Sequence, residues 1–414
     1  MKPIALPWIA AASAFFALAI LQAESRPHYG GTLRVEMSAA LNNLDPADIP
    51  SDPVALEAKA RLVPAVFETL VRLDENGKPQ AWLATSWTHD VARKRWVFTA
   101  RPRVRLHSGM MWAPTASSLE APDDRPIEQI LREMARPWNA IVVREPDGTL
   151  TGTGPFRVAR WEAGKAAALV ANEGHWKGRP YLDSVEIQMG RDLRDQTQDL
   201  QLGRADVIDA SIGTTDSAPD ETRTEETLAL VFDTPRSTPA VREAVALSID
   251  KVVIRRVLLK GHGDISGALL PQWLSGYSFL FDAKRDVARA RQLAAGSPPL
   301  TFAYDRQDAV LRSIGERISV NAMEAGITMR PGNGMADVRL VMVPVTSHDE
   351  LAALADIAVV LKAPFSFAAA PYEMERALLD GSRVVPLFHL VRSWSLAPRV
   401  RSWPDLPNVW IGQP

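Results

Sequence analysis

The chain has 414 residues, of which 46% are hydrophobic and 23% are charged, so it can bury a large core and is too long for one ordinary domain. A formal net charge of −2 excludes an overall electrostatic attraction to nucleic acid or to anionic lipid. The absence of cysteine excludes disulfides, thiolate metal sites, cysteine nucleophiles and a lipid-modified cysteine anchor.

The first residues predict an export signal. Lys2 precedes an apolar run over residues 9–20, and residues 21–23 are small or neutral, as signal peptidase requires. The run is shorter than the roughly 20 apolar residues that cross a bilayer comfortably, so an uncleaved anchor is the less favoured alternative. We therefore predict a signal peptide over residues 1–23 and a periplasmic or otherwise extracytoplasmic mature protein.

The next part of the chain alternates strand and helix signals. Residues 29–35 indicate a loop that leads into a strand, and residues 44–46 form a polar turn. A helix is predicted from about 54 to 67, and a strand over residues 95–98 leads to a turn at 106–109. This part of the chain is therefore predicted to contain both strands and helices.

Residues 152–183 predict a β-hairpin followed by an unusual loop. Glycine and proline in residues 152–155 mark a turn, after which alternating side chains indicate strands over 156–161 and 166–171. Loop 172–183 is too rich in glycine, proline and polar residues for the interior of an element. It nevertheless carries large aromatic residues, which usually pin a loop to the protein.

An α/β pattern continues after this loop. Residues 185–189 alternate as in a strand, and a helix-like segment from about Asp195 to Leu202 stops at Gly203. Residues 205–208 then indicate a short buried strand. The whole stretch is typical of one lobe of an α/β protein.

The C-terminal half contains helix signals and one proline-interrupted strand. A hydroxyl N-cap and a proline at residues 238–239 begin a helix, and Asp250 caps a second helix that ends at Gly261. Another helix is predicted over 371–379. The strand over 384–389 contains a proline, which places it at a sheet edge or at a crossing between lobes.

In this order and spacing, the parts resemble the extracellular solute-binding proteins of family 5, the peptide/nickel-type binding proteins of ABC importers. Members of that family typically carry a G-T-G-P-aromatic turn, a strand that ends in Trp, an N-x-x-[YW]-[WF]-x-G-x-P-Y-L-D loop and a helix that ends in G-x-x-D-hydrophobic. The matching residues here are Gly152 to Phe156, Trp161, Asn172, Trp176, Gly178, Pro180 to Asp183, Leu200, Leu202, Gly203 and Asp206. Similar matches at 30–33, 67–71 and 385–388 extend the resemblance over nearly the entire mature chain.

The resemblance implies an α/β protein with the two-lobe fold of periplasmic binding proteins (type II, cluster C-like), with mixed sheets and a hinge between the lobes. Lobe I is expected to contain residues 24–234 plus 391–414, and lobe II residues 235–390. Two places look shorter than in ordinary members, between Gly109 and Gly152 and between Gly326 and Pro371. The second place usually carries a strand and loop that face the ligand, so peptide specificity does not follow from the resemblance.

The resemblance implies an exported monomer that captures a peptide-like or other small organic ligand between its lobes and presents it to an ABC permease. No nucleic-acid partner, metal or other cofactor is implied. An enzyme is not expected, because the seven histidines include no pair at i,i+4 and the chain has neither a nucleophile elbow nor a P-loop. The alternative is a non-transport interaction or sensory protein that retains this fold with a degenerate cleft.

Candidate ligand-binding residues follow from their positions in the family pattern. Trp112 and His389 also have a simpler interpretation, since an aromatic residue or a histidine at such places is more often part of a packed core. The candidates are Ile49, Asp52, Trp112, Val343, Pro344, Val345, Thr346, Phe388 and His389.

Overall fold

The computed structural model describes residues 27–412 apart from 75, 115–119, 122–124, 211–223, 234–235, 282–283, 307, 333–335, 393 and 404. The expected signal peptide over residues 1–23 lies outside the described residues. The α-helices are α1 (Pro53–Val66), α2 (Ile127–Met134), α3 (Leu193–Gln201), α4 (Pro239–Ser248), α5 (Lys251–Val253, continued by a π-helix over Ile254–Leu258), α6 (Gln272–Ser275), α7 (Val287–Leu293), α8 (Ala309–Glu324), α9 (Glu350–Leu361) and α10 (Pro371–Leu379). The described part of the chain contains no helix with the length and apolar character that a membrane span needs.

The strands assemble into two large sheets and several small ones. They are β1 (Thr32–Glu36), β2 (Val71–Leu73), β3 (Pro79–Ala81), β4 (Ala84–Asp90), β5 (Arg95–Ala100), β6 (Glu120–Ala121), β7 (Val143–Arg144), β8 (Leu150–Thr151), β9 (Phe156–Glu162), β10 (Ala166–Ala171), β11 (Ser184–Gln188), β12 (Val207–Asp209), β13 (Thr224–Phe232), β14 (Asp264–Ile265), β15 (Leu300–Ala303), β16 (Met329–Pro331), β17 (Val338–Pro344), β18 (Val384–Arg392), β19 (Trp394–Leu396), β20 (Val400–Arg401) and β21 (Trp410–Ile411).

The first large sheet has the order β19-β12-β1-β11-β10-β9. Its centre is parallel, because β1 pairs in parallel with both β11 and β12. At one edge, β9 and β10 form the antiparallel hairpin that the sequence predicted, with an irregularity between Ala168 and Leu169. The loop over 172–183 then returns the chain to the middle of the sheet.

The second large sheet has the order β14-β18-β13-β17-β15-β16. Strand β13 was expected in lobe I, but it is hydrogen-bonded to β17 and β18 and therefore lies in the second sheet. The expected lobe boundary is therefore wrong at this strand, because the residues of an apolar strand do not indicate which sheet it joins. The chain leaves the first sheet after Asp209 and returns to it from β18 through β19. This return lies close to residue 391, where the chain was expected to re-enter lobe I.

The proline-containing strand β18 is the second strand of its sheet and not the edge strand. Its outer neighbour β14 pairs only with Phe388 and His389, so Pro386 has no strand on that side. Pro386 also lies next to a register shift in the pairing with β13, where a missing backbone N–H is tolerated. The carbonyl of Pro386 accepts a hydrogen bond of 2.8 Å from Lys251 Nζ, a buried amino group.

The second sheet buries both of its faces. Along β13, Leu228, Leu230 and Phe232 belong to a core that includes residues of α4 and α8, whereas Ala229 and Val231 belong to the core of the first lobe. This separation is the two-residue period of a strand. One face of the second sheet is therefore covered by its own helices, and the other faces the first lobe.

Helix α9 lies between the two lobes. Nine of its twelve residues are buried, and it contacts β17 of the second sheet, α2 of the first lobe, and α10. Its apolar residues join the same core as Leu33 and Val35 of β1. The strand expected in this shortened region is present as β17, whereas the buried helix that follows it was not predicted.

A small subdomain extends from the first lobe. Strands β4, β5 and β6 form a three-stranded sheet, and helix α2 packs with them around a third core that includes Leu83 and Phe98. The stretch between Gly109 and Gly152, although short, thus still contributes β6 and α2 to this subdomain.

Replacing Leu354 by alanine tests the importance of α9. The side chain of Leu354 is fully buried, so we expect the free energy of unfolding to fall by about 2–5 kcal/mol in urea denaturation. Met323→Ala on α8 is the matched control, because Met323 is 67% exposed and should change this free energy little. Equal effects of the two substitutions would show that α9 is not part of the folded core.

Candidate functional site

A cavity of about 440 Å³ lies where the small subdomain, the first lobe and the start of α9 meet. The first lobe contributes the C-terminal part of α1, the segment 67–74 and part of the loop 172–183. The connection from β17 into α9 contributes Thr346, Ser347, His348, Ala352 and Asp356. The wall of the cavity therefore combines residues of the first lobe with residues of the connection that leaves β17 of the second sheet.

Glu68 is the buried acidic centre of the first-lobe wall. Its carboxylate accepts hydrogen bonds from Trp82 Nε1 at 2.7 Å, Thr153 Oγ1 at 2.8 Å and Trp176 Nε1 at 3.0 Å. His175 Nε2 lies 3.3 Å from the same carboxylate. These contacts connect segment 67–74 to the loop 172–183 and explain why the aromatic residues of that loop are held in place.

The surroundings of Glu68 act on its pKa in opposite directions. Burial by itself raises the pKa, but the interaction with His175 and the hydrogen bonds from Trp176 and Thr153 bring it below the ordinary value of 4.5. Glu68 is therefore ionised at neutral pH, and its negative charge is balanced by donors within the wall of the cavity.

Asp356 is the acidic centre of the opposite wall. It forms an ion pair with Arg136, and it accepts hydrogen bonds from Trp138 Nε1 at 2.8 Å and from Thr346 Oγ1 at 2.5 Å. At the start of the same helix, the N-cap Asp349 forms an ion pair with Arg132. Two arginines of the first lobe thus fix α9 against the cavity.

Aromatic rings form part of the cavity wall. Trp82 packs edge-on against Trp176, with ring centroids 5.2 Å apart, and Tyr29 lies 5.1 Å from Tyr181. The charged groups of Arg72 and Lys177 each lie 4.3 Å from the centroid of the Trp82 ring. The cavity therefore combines aromatic surface with charged and hydroxyl groups, as ligand sites do.

Of the predicted ligand-binding residues, Thr346 is the one that the structure brings to this cavity. Its neighbours in sequence lie beneath the surface: Val343 and Pro344 are buried at the end of β17, and Val345 packs against the core of the first lobe. They support the cavity wall from behind.

The remaining predicted residues lie elsewhere. Ile49 packs on the first-lobe core, and exposed Asp52 accepts a 2.8 Å hydrogen bond from Ala55 N as the N-cap of α1. Trp112 belongs to the core of the small subdomain and Phe388 to that of the second lobe. Trp112 is thus a core residue, which was its simpler interpretation.

His389 is mostly buried and borders a second depression of about 680 Å³ on the second lobe. Its Nε2 lies 3.0 Å from the carbonyl of Ala268, and burial lowers its pKa below the ordinary value. The histidine therefore connects β18 to the segment around Ala268, as a core histidine would.

The sequence predictions did not include Glu68, Arg136 or Asp356. The sequence nevertheless marks the two acids, because Glu68 is the only charged residue in the apolar run 62–71 and Asp356 is the only one in 351–361. A charge in such a run must be paired if the run is buried. Trp82 and Thr346 lie 14 and 10 residues from the acids that they contact, and the other partners are far more distant, so no local pattern identifies them.

The comparisons with known proteins agree with this architecture. Residues 118–330, about half of the chain, match the family model for the middle part of the bacterial extracellular solute-binding proteins of family 5. The peptide transport periplasmic protein SapA of Salmonella typhimurium is 28% identical over 144 residues, which cover 32% of this chain and 26% of SapA. The matched stretches span 23% to 30% of the lengths of the curated relatives.

Solved structures share the fold over nearly the whole chain. The murein tripeptide binding protein MppA of Escherichia coli has a TM-score of 0.74 at 14% identity and covers 94% of this chain and 100% of its own. AgaA of A. tumefaciens R10, solved with agropinic acid, has a TM-score of 0.70 at 18% identity and covers 93% of this chain and 99% of its own. The two-lobe, type II fold expected from the sequence is thereby confirmed.

Replacing Glu68 by glutamine tests the acidic centre. In the variant, the NH2 group of glutamine would face N–H and O–H groups that now donate to the carboxylate. We therefore expect the free energy of unfolding at pH 7 to fall by about 1–3 kcal/mol. Because folding lowers the pKa of Glu68, its charge stabilises the fold above pH 4.5, and this contribution is lost as the pH falls through the lower folded-state pKa.

The measurement is urea unfolding of the wild type and the variant at pH 7 and at successively lower pH values. The difference between them should shrink below about pH 4.5. Glu243→Gln on the exposed side of α4 serves as the control and should show no such difference. A difference that is the same at every pH would contradict an ionised, hydrogen-bonded Glu68.

Proposed function

Since the chain belongs to family 5 of the bacterial extracellular solute-binding proteins, we propose that it is the exported ligand-capturing component of an ABC importer. In this role it binds a peptide-like or other small organic ligand and presents it to the permease. It works outside the cytoplasm, is exported by the signal peptide expected over residues 1–23, acts as a monomer and catalyses no reaction.

The cavity beside Glu68 is the observation that carries this proposal. Its volume of about 440 Å³ lies within the roughly 300–1,000 Å³ typical of small-molecule sites. Its wall includes Glu68 and Trp82 of the first lobe together with Thr346 and Asp356, which follow β17 of the second sheet. A ligand there would contact segments connected to both lobes.

Such a ligand would shift the equilibrium between open and closed arrangements. If it contacts both walls only in the closed arrangement, its differential affinity favours closure, which the permease then recognises. Moving the closed fraction from 1% to 99% requires about 5.5 kcal/mol of preference. A few hydrogen bonds and one buried aromatic contact are of that order.

The names of similar proteins support a small ligand. SapA is described as a peptide transport protein, MppA as a murein tripeptide binding protein, and AgaA was solved with agropinic acid. Tripeptide-sized or smaller compounds suit the volume of the cavity. We accordingly place the ligand among short peptides and organic compounds of similar size.

The buried helix α9 favours a second candidate function. Its side chains join the core of the first lobe while it remains connected to β17 of the second sheet, so it fills space between the lobes. A protein whose lobes are held together in this way could serve as an interaction or sensory protein with a degenerate cleft. Ligand-dependent movement of the lobes distinguishes the two candidates.

A fluorescence-transfer experiment makes the distinction. Because the natural chain has no cysteine, Lys165→Cys and Met323→Cys would supply the only thiols for labelling, one in each lobe. For an importer component, we expect a short peptide or organic acid found by thermal-shift screening to change the transfer efficiency between the labels. A ligand at 100 times its dissociation constant adds about 2.7 kcal/mol of stability, which such a screen detects.

The control places both labels in the first lobe, at Lys165→Cys and Val91→Cys, where the transfer efficiency should stay constant. Binding without any change between the lobes would favour the sensory alternative. A screen in which no compound stabilises the protein would contradict ligand capture itself.

A further inference from the structure

Two basic side chains approach one aromatic ring at the cavity. Arg72 belongs to β2 and Lys177 to the loop 172–183, yet both line the cavity and both place their charge 4.3 Å from the centroid of the Trp82 ring. The indole itself is fixed by its 2.7 Å hydrogen bond to Glu68. Trp82 therefore holds each of the two charges at the cavity through a cation–π contact on a fixed ring.

These two cations differ from the other basic residues of the cavity. Arg136 is paired with Asp356, and Arg179 is paired with Glu173 and Asp183. In the described part of the chain, no carboxylate lies within ion-pair distance of Arg72 or Lys177. Stacking on a ring occupies the flat face of a guanidinium and leaves the N–H groups at its edge available to a ligand.

The carboxylates of the cavity wall, by contrast, are engaged by protein donors. Glu68 and Asp356 each accept bonds from several side chains, as described above. Asp74 accepts from the backbone of Asn76 and Lys78, at 3.0 and 2.9 Å, and from Gln80. Asp405, the fourth carboxylate of the wall, accepts a 2.7 Å hydrogen bond from Asn408 Nδ2. The charged groups that remain unpaired in the described part of the wall are therefore positive.

We propose that this cavity recognises its ligand through an anionic group, a carboxylate or a phosphate, bound by Arg72 and Lys177 on the Trp82 support. The inference rests on the proposed function, because it specifies the ligand class of the same cavity. The planar donor edge of Arg72 suits either oxyanion, and the ammonium of Lys177 supplies a second charge.

The test measures binding of three probes by calorimetry: trialanine, its uncharged C-terminal amide, and inorganic phosphate. The proteins are the mature wild type, Arg72→Gln, Lys177→Gln and the control Lys165→Gln, an exposed lysine on the hairpin turn. Arg72 and Lys177 are also exposed, so the variants are expected to fold, and circular dichroism verifies this.

We expect the wild type to bind trialanine or phosphate and to bind the amide at least about tenfold more weakly. Arg72→Gln and Lys177→Gln should each weaken binding of the anionic probe about tenfold and leave any binding of the amide unchanged. Lys165→Gln should match the wild type. A carboxylate site would prefer trialanine, and a phosphate site would prefer phosphate.

Equal binding of trialanine and its amide, or anion binding that survives both substitutions, overturns the inference and leaves ligand capture in place. If the wild type binds neither trialanine nor phosphate, the inference is also overturned. In that case the thermal-shift screen, extended to uncharged organic compounds, decides separately whether ligand capture fails as well.

Discussion

The structure depends on the burial of one apolar helix between two sheets. Helix α9, together with α1, covers the face of the second sheet that its own helices leave open, and it packs at the same time into the core of the first lobe. Its one internal acid, Asp356, is compensated by Arg136 and Trp138 of the first lobe. Without these donors the buried carboxylate would keep only its hydrogen bond from Thr346 and would lack a compensating charge, which would destabilise the fold.

This arrangement couples the candidate site to the lobes. Thr346 borders the cavity and donates to Asp356, which is held by Arg136 of the first lobe. Helix α9 also borders the cavity directly, through Ala352 and Asp356. Glu68 plays the corresponding part on the other wall, where its donors come from three separate segments of the chain. Both walls are organised by a buried carboxylate whose partners are distant in sequence.

Local chemistry made many elements predictable. Thr238 and Asp250 begin helices, as predicted, because their side chains accept hydrogen bonds from backbone N–H groups in the first turn. Asp52, which was predicted to bind ligand, begins α1 in the same way. The hairpin β9–β10 follows from alternation and a short turn. The site was predicted less well: Thr346 lies in the cavity wall, whereas Trp112 and Phe388 fill cores, because a large apolar residue at the expected place packs equally well inside.

The sequence by itself determined the family, the kinds of elements and where most of them begin, since these depend on residues near one another in the chain. Tertiary structure alone decided that β13 belongs to the second sheet, that α9 lies between the lobes, and that Glu68, Arg72, Lys177 and Asp356 surround one cavity. The physical reason is that sheet membership and the pairing of buried charges depend on contacts between segments that are far apart along the chain, and such contacts leave no local pattern.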